Sequence, residues 1–360
     1  MSKKKVTLES IADKALVSKA LVSRVLNNKP VRVSDEKREL ILKIANELDY
    51  IPSGSPSGSL PPVGLNKSIA LILPSINNHF MSSIAETITD IAYGHGYSVL
   101  LFDGKENSSL EMKYLSLCHS MKISGIIIDS FSAANNKSYL EKIAEWKIPF
   151  VFFDCYPNDS RFSIISSKNK EGAKKLTESL IARGHKNILN IIQDKSTLTN
   201  VSLERLNGYY SAMDEHHLSG CNEIIYPERD YQQQPIFSLL ESSKDFSAFI
   251  IQTGTDVKHF LHLISKTKYA NKPFEVGVFD DFNLSFSTIL RTQNAEIYNK
   301  IVSIISQRPQ EIATCAVNTL LEHIKKGDSF NPIRQFIDCD LIVREKKHCS
   351  ISPTIQERDL

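Results

Sequence analysis

Hydrophobic positions follow two regimes along the chain. From Thr7 to Pro52 they recur at helical spacing: Leu8, Ile11, Ala12 and Ala15 make one apolar face of a short first helix. Ser18 stands where an N-cap is wanted before a second run. There Val22, Val25 and Leu26 face inward and Lys19, Ala20, Ser23 and Arg24 face out. Ser34, followed by Asp35 and Glu36, starts a third helix. Its Leu40, Ile41, Ile44, Ala45 and Leu48 complete a small core, and Pro52 stops continuation. The pattern predicts an all-α three-helix headpiece of helix-turn-helix type over residues 1–52. The second helix presents a small, hydrogen-bonding, cationic face that suits a major groove.

Residues 53–66 break the pattern. Ser53-Gly54-Ser55-Pro56-Ser57-Gly58-Ser59-Leu60-Pro61-Pro62 is rich in Gly, Pro and Ser, the composition of a linker. From Ser68 the second regime begins, with short apolar runs alternating with amphipathic segments, as in βα units around a parallel sheet. Expected strands are Ile69–Leu73, Ser98–Phe102, Gly125–Asp129, Phe150–Asp154, Ile188–Ile192, Glu223–Tyr226, Ala248–Gln252 and Glu275–Phe279. Helices are expected between them, at His79–Tyr93, Glu171–Ala182 and Leu203–His216 among others. Two successive series predict an α/β core of two doubly wound, Rossmann-like lobes over 67–347, then a tail at 348–360 too short and irregular for a coiled coil.

Composition narrows the class. At 360 residues the chain has room for a headpiece and a substantial core, and 41% hydrophobic with 23% charged residues excludes a disordered chain. Met1–Lys5 is polar and lysine-rich, so no signal peptide is expected. No stretch approaches the roughly 18 uninterrupted apolar residues of a membrane span. Six cysteines without a C-x-x-C pair suit reduced thiols in a cytoplasmic protein better than a metal site or disulfide framework. Charge is uneven: residues 1–32 hold eight basic and two acidic residues, a net +6 against +2 for the whole chain. That concentration is the footprint of a phosphate-contacting surface. G-x-S-x-G, Walker A, H-E-x-x-H and G-x-G-x-x-G motifs are absent, which argues against an enzyme and against a nucleotide cofactor. The adjacent His216 and His217 point apart on a helix and read as solvated rather than metal-binding.

The runs VTLESIADKALVSKALVSRVLNN and VSDEKRELILKIANELDYIP resemble the headpiece of the lactose-repressor (LacI) family of bacterial transcription regulators. By that resemblance phosphate contacts fall on Thr7, Ser18, Ser23, Asn27 and Arg32, with Tyr50 near the backbone, and base-reading positions on Lys19, Ala20 and Arg24. Arg24 suits bidentate recognition of guanine, on the order of 1–3 kcal/mol of discrimination. Lys19 either donates to guanine or neutralises phosphate, and Ala20 offers a methyl to thymine. Two departures stand out. Leu16 replaces the turn glycine usual in relatives, at a cost of about 1 kcal/mol if the position needs positive φ. The linker carries Pro56, Gly54 and Gly58 where relatives form a hinge helix with a minor-groove leucine, which argues against a stable helix there.

The core resembles the family's periplasmic-binding-protein type I-like core, in which the chain crosses three times between lobes. Lobe one is then expected at Lys67–Ile165 with a return near Gln307–Lys326, the remainder to Val343 forming lobe two and a small-molecule effector lying between them. The resemblance places effector contacts on Phe80 with Met81 beside it, on Asp154, on Asn169, and on the pair Arg205 and Asp280. Phe80 reads equally as an apolar helix-start residue, Asp154 as a helix cap, and Arg205–Asp280 as a salt bridge across the cleft. Lys168 replaces an acid usual in sugar-binding relatives, and Thr253-Gly254 replaces an Asn-Asp pair, so an anionic ligand competes with a sugar. The resemblance implies a homodimer on a pseudo-palindromic operator, without catalytic residues, metal, cofactor or membrane, regulated through lobe closure and most simply a repressor. Two alternatives are a small-molecule-binding protein with altered or lost DNA recognition and, behind it, an enzyme on the α/β core.

Overall fold

A computed structural model of the chain describes residues 7–26, 30–48, 67–77, 79–130, 136–192, 198–218, 222–225, 234–254, 257–280 and 299–344. Asn27, Tyr50, the 53–66 linker and the 348–360 tail lie outside the described residues.

The headpiece has three helices, α1 (Leu8–Ala15), α2 (Lys19–Leu26) and α3 (Asp35–Glu47). Thr7 starts the first with a reciprocal cap: its hydroxyl accepts from the Ser10 amide at 3.3 Å, and its own amide donates to the Ser10 hydroxyl at 2.9 Å. Ser18 caps α2, accepting from the Leu21 amide at 3.2 Å. Ile11, Ala12, Ala15, Val22, Val25, Leu26, Ile41, Ile44 and Ala45 form the core, as the spacing predicts. Leu40, expected inside, is 42% exposed, one helical step off the buried stripe that Ile41, Ile44 and Ala45 make.

Two six-stranded sheets follow. The first holds β1 (Ser68–Leu73), β2 (Ser98–Asp103), β3 (Gly125–Ile128), β4 (Phe150–Phe153), β5 (Ser163–Ser167) and β11 (Arg334–Ile337). Its order is β11-β5-β4-β3-β1-β2, all pairs parallel. The second, ordered β12-β10-β9-β8-β6-β7, holds β6 (Ile188–Ile191), β7 (Asn222–Ile225), β8 (Ala248–Ile251), β9 (Glu275–Phe279), β10 (Ile301–Ser306) and β12 (Asp340–Val343), the last antiparallel to β10. Helices α4 (His79–Gly94) and α11 (Pro309–Lys326) cover one face of the first sheet, and α5 (Ser108–Ser120) and α6 (Lys137–Glu145) the other. In the second lobe α7 (Asn169–Ala182) and α8 (Asn200–Glu215) cover one face, and α9 (Gln234–Glu241) and α10 (Val257–Ile264) the other. Such double cover explains why β1 is buried at every position and reads as an unbroken apolar run, each aliphatic side chain contributing about 1.5–3 kcal/mol by leaving water.

The chain passes between lobes three times: Ser167 to Asn169, Ser306 to Pro309, and Ile337 to Asp340. The expectation that all of the chain after the second passage and its return helix lies in lobe two needs correction. Residues 334–337 pair with β5 in the first sheet, where the Ile164 amide donates to Ile333 carbonyl oxygen at 2.8 Å, and only β12 reaches the second. Ion pairs join the passages: Lys168 Nζ to Asp338 at 2.8 Å, and the Arg308 guanidinium to both carboxylate oxygens of Asp340 at 2.7 and 2.6 Å. Lys168, read in sequence as a lost acid, is thus the partner of an acid on another passage. Arg183-Gly184-His185 forms a turn in which Arg183 and His185 both meet Glu275, at 2.5 and 3.0 Å, a structural role.

Candidate functional site

On the headpiece, Ser18, Lys19, Ala20 and Arg24 are exposed along one side of α2 and Ser23 is half-buried, while Thr7 and Arg32 are exposed nearby in sequence on either flank. Lys19 reaches Glu9 at 3.4 Å, a solvated pair of little strength. Thr7 and Ser18 spend their hydroxyls on helix caps, accepting the Ser10 and Leu21 amides. Leu16 adopts φ 52, ψ 48, the left-handed turn anticipated for a glycine, and is 87% exposed.

Between the lobes, polar side chains gather at the carboxyl ends of the strands, where open α/β sheets place ligands. Asp154 follows β4 and Asp280 follows β9, each just after a phenylalanine and each in left-handed backbone, φ 52 and φ 83. Their amides continue the ladders, Asp154 to Ile165 carbonyl oxygen at 3.1 Å and Asp280 to Ile305 carbonyl oxygen at 2.9 Å, so both side chains are held by the strand ends themselves. Such backbone costs about 1–3 kcal/mol per residue and is concentrated at functional positions.

Arg205 of α8 is 5% exposed. Its Nε donates to Asn169 Oδ1 at 2.9 Å, Nη1 to Gln252 carbonyl oxygen at 2.5 Å, and Nη2 lies 3.8 Å from Asp280. The guanidinium carbon sits 3.8 Å from the centre of the Phe279 ring. Asn169 is oriented by donating to Ser167 carbonyl oxygen at 3.1 Å, and Gln307 on the second passage donates its amide to Asp280. Arg205, Asn169 and Asp280 therefore form one network. The Arg205–Asp280 pair does not bridge the cleft, because α8 and β9 both belong to lobe two.

Asp154 stands on lobe one. Burial raises its carboxyl to about 7, with Arg205 pulling it down and Asp280 and Glu204 pushing it up, which places it within electrostatic reach of lobe two. Behind it, Asp129 follows β3 and is likewise pushed well above the carboxylate range by burial and by Asp154. Asp129 accepts the Cys155 amide at 3.1 Å. The Cys155 thiol is pushed up by burial and then by both carboxylates. Among the described residues, Asp129, Asp154 and Cys155 are the one group whose ligand atoms, within 4.8 Å of one another, have metal-binding proximity.

Phe80 and Met81 are both 4% exposed and pack into the first-lobe core. Phe80 also lines a cavity of about 380 Å³ with His79 and Ser83 of α4 and Ser306, Gln307 and Arg308 of the second passage; Met81 does not line it. Gln307 joins this cavity to the Asp280 network. Across the cleft, Tyr156 of lobe one donates from its hydroxyl to Glu204 at 2.5 Å and from its amide to Asn200 at 3.3 Å, both on α8. Sequence reasoning missed Asp129, Gln252, Gln307, Tyr156 and Glu204. The first two sit at or one residue beyond a strand's carboxyl end, a positional signal that was available.

Comparison with known proteins agrees with both parts. The family described as "Bacterial regulatory proteins, lacI family" matches residues 7–53, and "Periplasmic binding proteins and sugar binding domain of LacI family" matches residues 66–342. The ribose operon repressor of Halalkalibacterium halodurans is 32% identical over 236 residues, 66% of this chain and 68% of that protein. The HTH-type transcriptional regulator YkvZ of Bacillus subtilis is 30% identical over 315 residues, 84% and 93% of the two chains. Among solved structures, the lac repressor dimer bound to operator and the anti-inducer ONPF matches with a TM-score of 0.64 at 21% identity, covering 95% of this chain and 99% of that one. The regulator CelR in complex with cellobiose matches at 0.61 with 19% identity, covering 95% and 100%.

Proposed function

This chain belongs to the LacI family of bacterial regulatory proteins, and from that premise we propose that it is a repressor whose operator affinity is set by a small molecule held between its lobes. The family is regulatory rather than catalytic. The observation that carries the reading is the buried Arg205–Asn169–Asp280 network at the strand ends of lobe two, with Asp154 of lobe one buried within electrostatic reach of it. Groups so placed contact one ligand from both lobes, and a ligand that prefers one degree of closure shifts that equilibrium by its differential affinity. Phe80 and Gln307 extend the site toward the second passage, where a change in closure is transmitted along the chain.

On the headpiece, Arg24 and Lys19 read base edges from α2, while Thr7, Ser18, Ser23 and Arg32 hold phosphates, with Asn27 and Tyr50 assigned to the same role. One such headpiece binds weakly, so two act on the halves of a pseudo-palindrome. A second copy of the chain is supported by the open edge of β2, where Leu101 is 48% exposed on the same lobe as Tyr93 at 82%. The turn at Leu16 keeps the backbone a glycine would take, which favours retained over lost DNA recognition.

The test is selection of duplex DNA from genomic fragments by the full-length protein at near-physiological salt, beside Arg24→Ala. One pseudo-palindrome is expected to be enriched, and Arg24→Ala is expected to weaken it by roughly 1–3 kcal/mol and relax one base position. No enrichment, or equal enrichment by the variant, defeats the proposed readout.

A further inference from the structure

Among the described residues, several buried polar atoms around the interlobe site have no hydrogen-bond partner; Asn190 Nδ2 and Asn200 Nδ2 are donors, Ser167 Oγ is a hydroxyl, and the rest are oxygens. Among the buried side-chain atoms without a hydrogen-bond partner are Asp154 Oδ1, Gln252 Oε1 and Gln307 Oε1. The amide orientations are set by their nitrogens, since Gln252 Nε2 donates to Asn190 at 2.8 Å and Gln307 Nε2 donates to Asp280. The two amide oxygens are acceptors, Asp154 accepts once a cation draws off its proton, and each residue is more than nine-tenths buried. A buried acceptor left unmet is costly, so a group that meets Asp154 or either amide oxygen must donate.

Charge sharpens the requirement. Asp154, Asp280 and Glu204 share the guanidinium of Arg205, and Asp129 lies behind Asp154. Arg205 is already committed to Asn169, to the Gln252 carbonyl and to Asp280, with its face on Phe279. It has little left for an anion. A hydroxyl supplies one proton to the acceptors and no charge, whereas an ammonium supplies three and offsets the surplus acid.

We propose that the molecule held between the lobes carries a protonated amino group, seated against Asp154 with Asp129 behind it. The assignment rests on the reading of this cleft as the effector site and names the chemical class of its ligand: a small polar amine, such as an amino sugar, in place of a neutral sugar or an anion. A metal ion fits less well. Asp129 Oδ1 already accepts the Cys155 amide, and burial holds the thiol protonated.

Full-length protein at pH 7 is assayed by thermal shift and calorimetry against matched pairs at millimolar concentration: D-glucosamine with D-glucose, D-galactosamine with D-galactose, D-mannosamine with D-mannose, and putrescine with 1,4-butanediol. The expected result is that amines bind about tenfold or more tightly than their hydroxyl partners, and that Asp154→Asn abolishes the preference. Asp154→Asn without ligand is expected to melt no lower than the parent, since it removes repulsion between carboxylates, and so serves as a folded control. Equal or tighter binding of the neutral partners, binding by no member, or an Asp154-dependent shift with zinc or manganese chloride alone overturns the amine. A neutral member that binds and loosens the selected operator, in a manner lost with Arg205→Lys, overturns the amine while the cleft reading stands. An amine whose binding ignores both Asp154→Asn and Arg205→Lys overturns the amine seat and the cleft reading together.

Discussion

Leu16 shows how one side chain tunes the headpiece. Its β-carbon is crowded in left-handed backbone, yet at 87% exposure it gains little packing in return. Leu16→Gly should stabilise the helical core by up to about 1 kcal/mol, seen in the full-length protein as roughly fivefold slower exchange of the α1 and α2 amides. Unchanged or faster exchange would show that the leucine makes contacts the free chain hides. Asp154 acts in the opposite sense, as a group whose proton the fold retains. Its folded value of about 7 lies above the ordinary 3.8, so its stabilising contribution is complete below the unfolded value and is lost as pH climbs through about 7. Denaturant midpoints of the full-length protein should therefore fall between about pH 5 and about pH 8, and fall less steeply in Asp154→Asn. A slope equal in the two proteins would place the titrating group elsewhere.

At the level of elements, packing of α7 on α8 turns on Gly208. A β-carbon there would lie 2.1 Å from Lys170 carbonyl oxygen and 2.9 Å from both Ala173 Cβ and the Lys174 amide nitrogen. Gly208→Ala should cost about 1–3 kcal/mol of core stability by denaturant titration, and should weaken the Arg205 network by pushing apart the helices that carry Arg205 and Asn169. This gives the segment Arg205–Tyr209 a mechanical meaning: Arg205 reaches the site because Gly208 lets its helix approach. The same contrast explains what was legible beforehand. The strands with near-continuous apolar runs, such as β1, β4 and β9, announce themselves, as do the helical stripes of the headpiece. Ser163-Ile-Ile-Ser-Ser does not, because three serines make a fully buried strand look like a loop until its neighbours β4 and β11 are known. Arg334–Ile337 and Asp340–Val343 are short and largely exposed edge strands whose identity comes from long-range pairing that no local pattern encodes. Of the interlobe site, Arg205, Asn169, Asp154 and Asp280 were read from motif resemblance. Asp129 and Gln252 follow apolar strands without a motif around them, and Lys168 was read as a loss because its acid partner, Asp338, is distant in sequence.

The whole molecule is governed by its three passages. Lys168–Asp338 and Arg308–Asp340 tie them side by side, and each residue is between 40% and 58% exposed, so each pair contributes at most about 1 kcal/mol. Lys168→Asp, which sets two acids together, should lower the midpoint of core unfolding modestly, and pairing it with Asp338→Lys should restore it in a double-mutant cycle. Failure of the second substitution to rescue would mean that the lysine acts through something other than that acid.

The contact of Tyr156 with Glu204 and Asn200 has a kinetic corollary. In the structure with that contact made, Asp154 and Arg205 are buried, so a ligand of the proposed site reaches them only when the lobes part. Uptake must wait for a spontaneous parting of Tyr156 from α8, and the observed rate then levels off at the frequency of that parting however concentrated the molecule becomes. The same step governs departure, which gives a bound molecule a long residence for a modest affinity. A regulator built this way responds to sustained supply and filters out brief fluctuations.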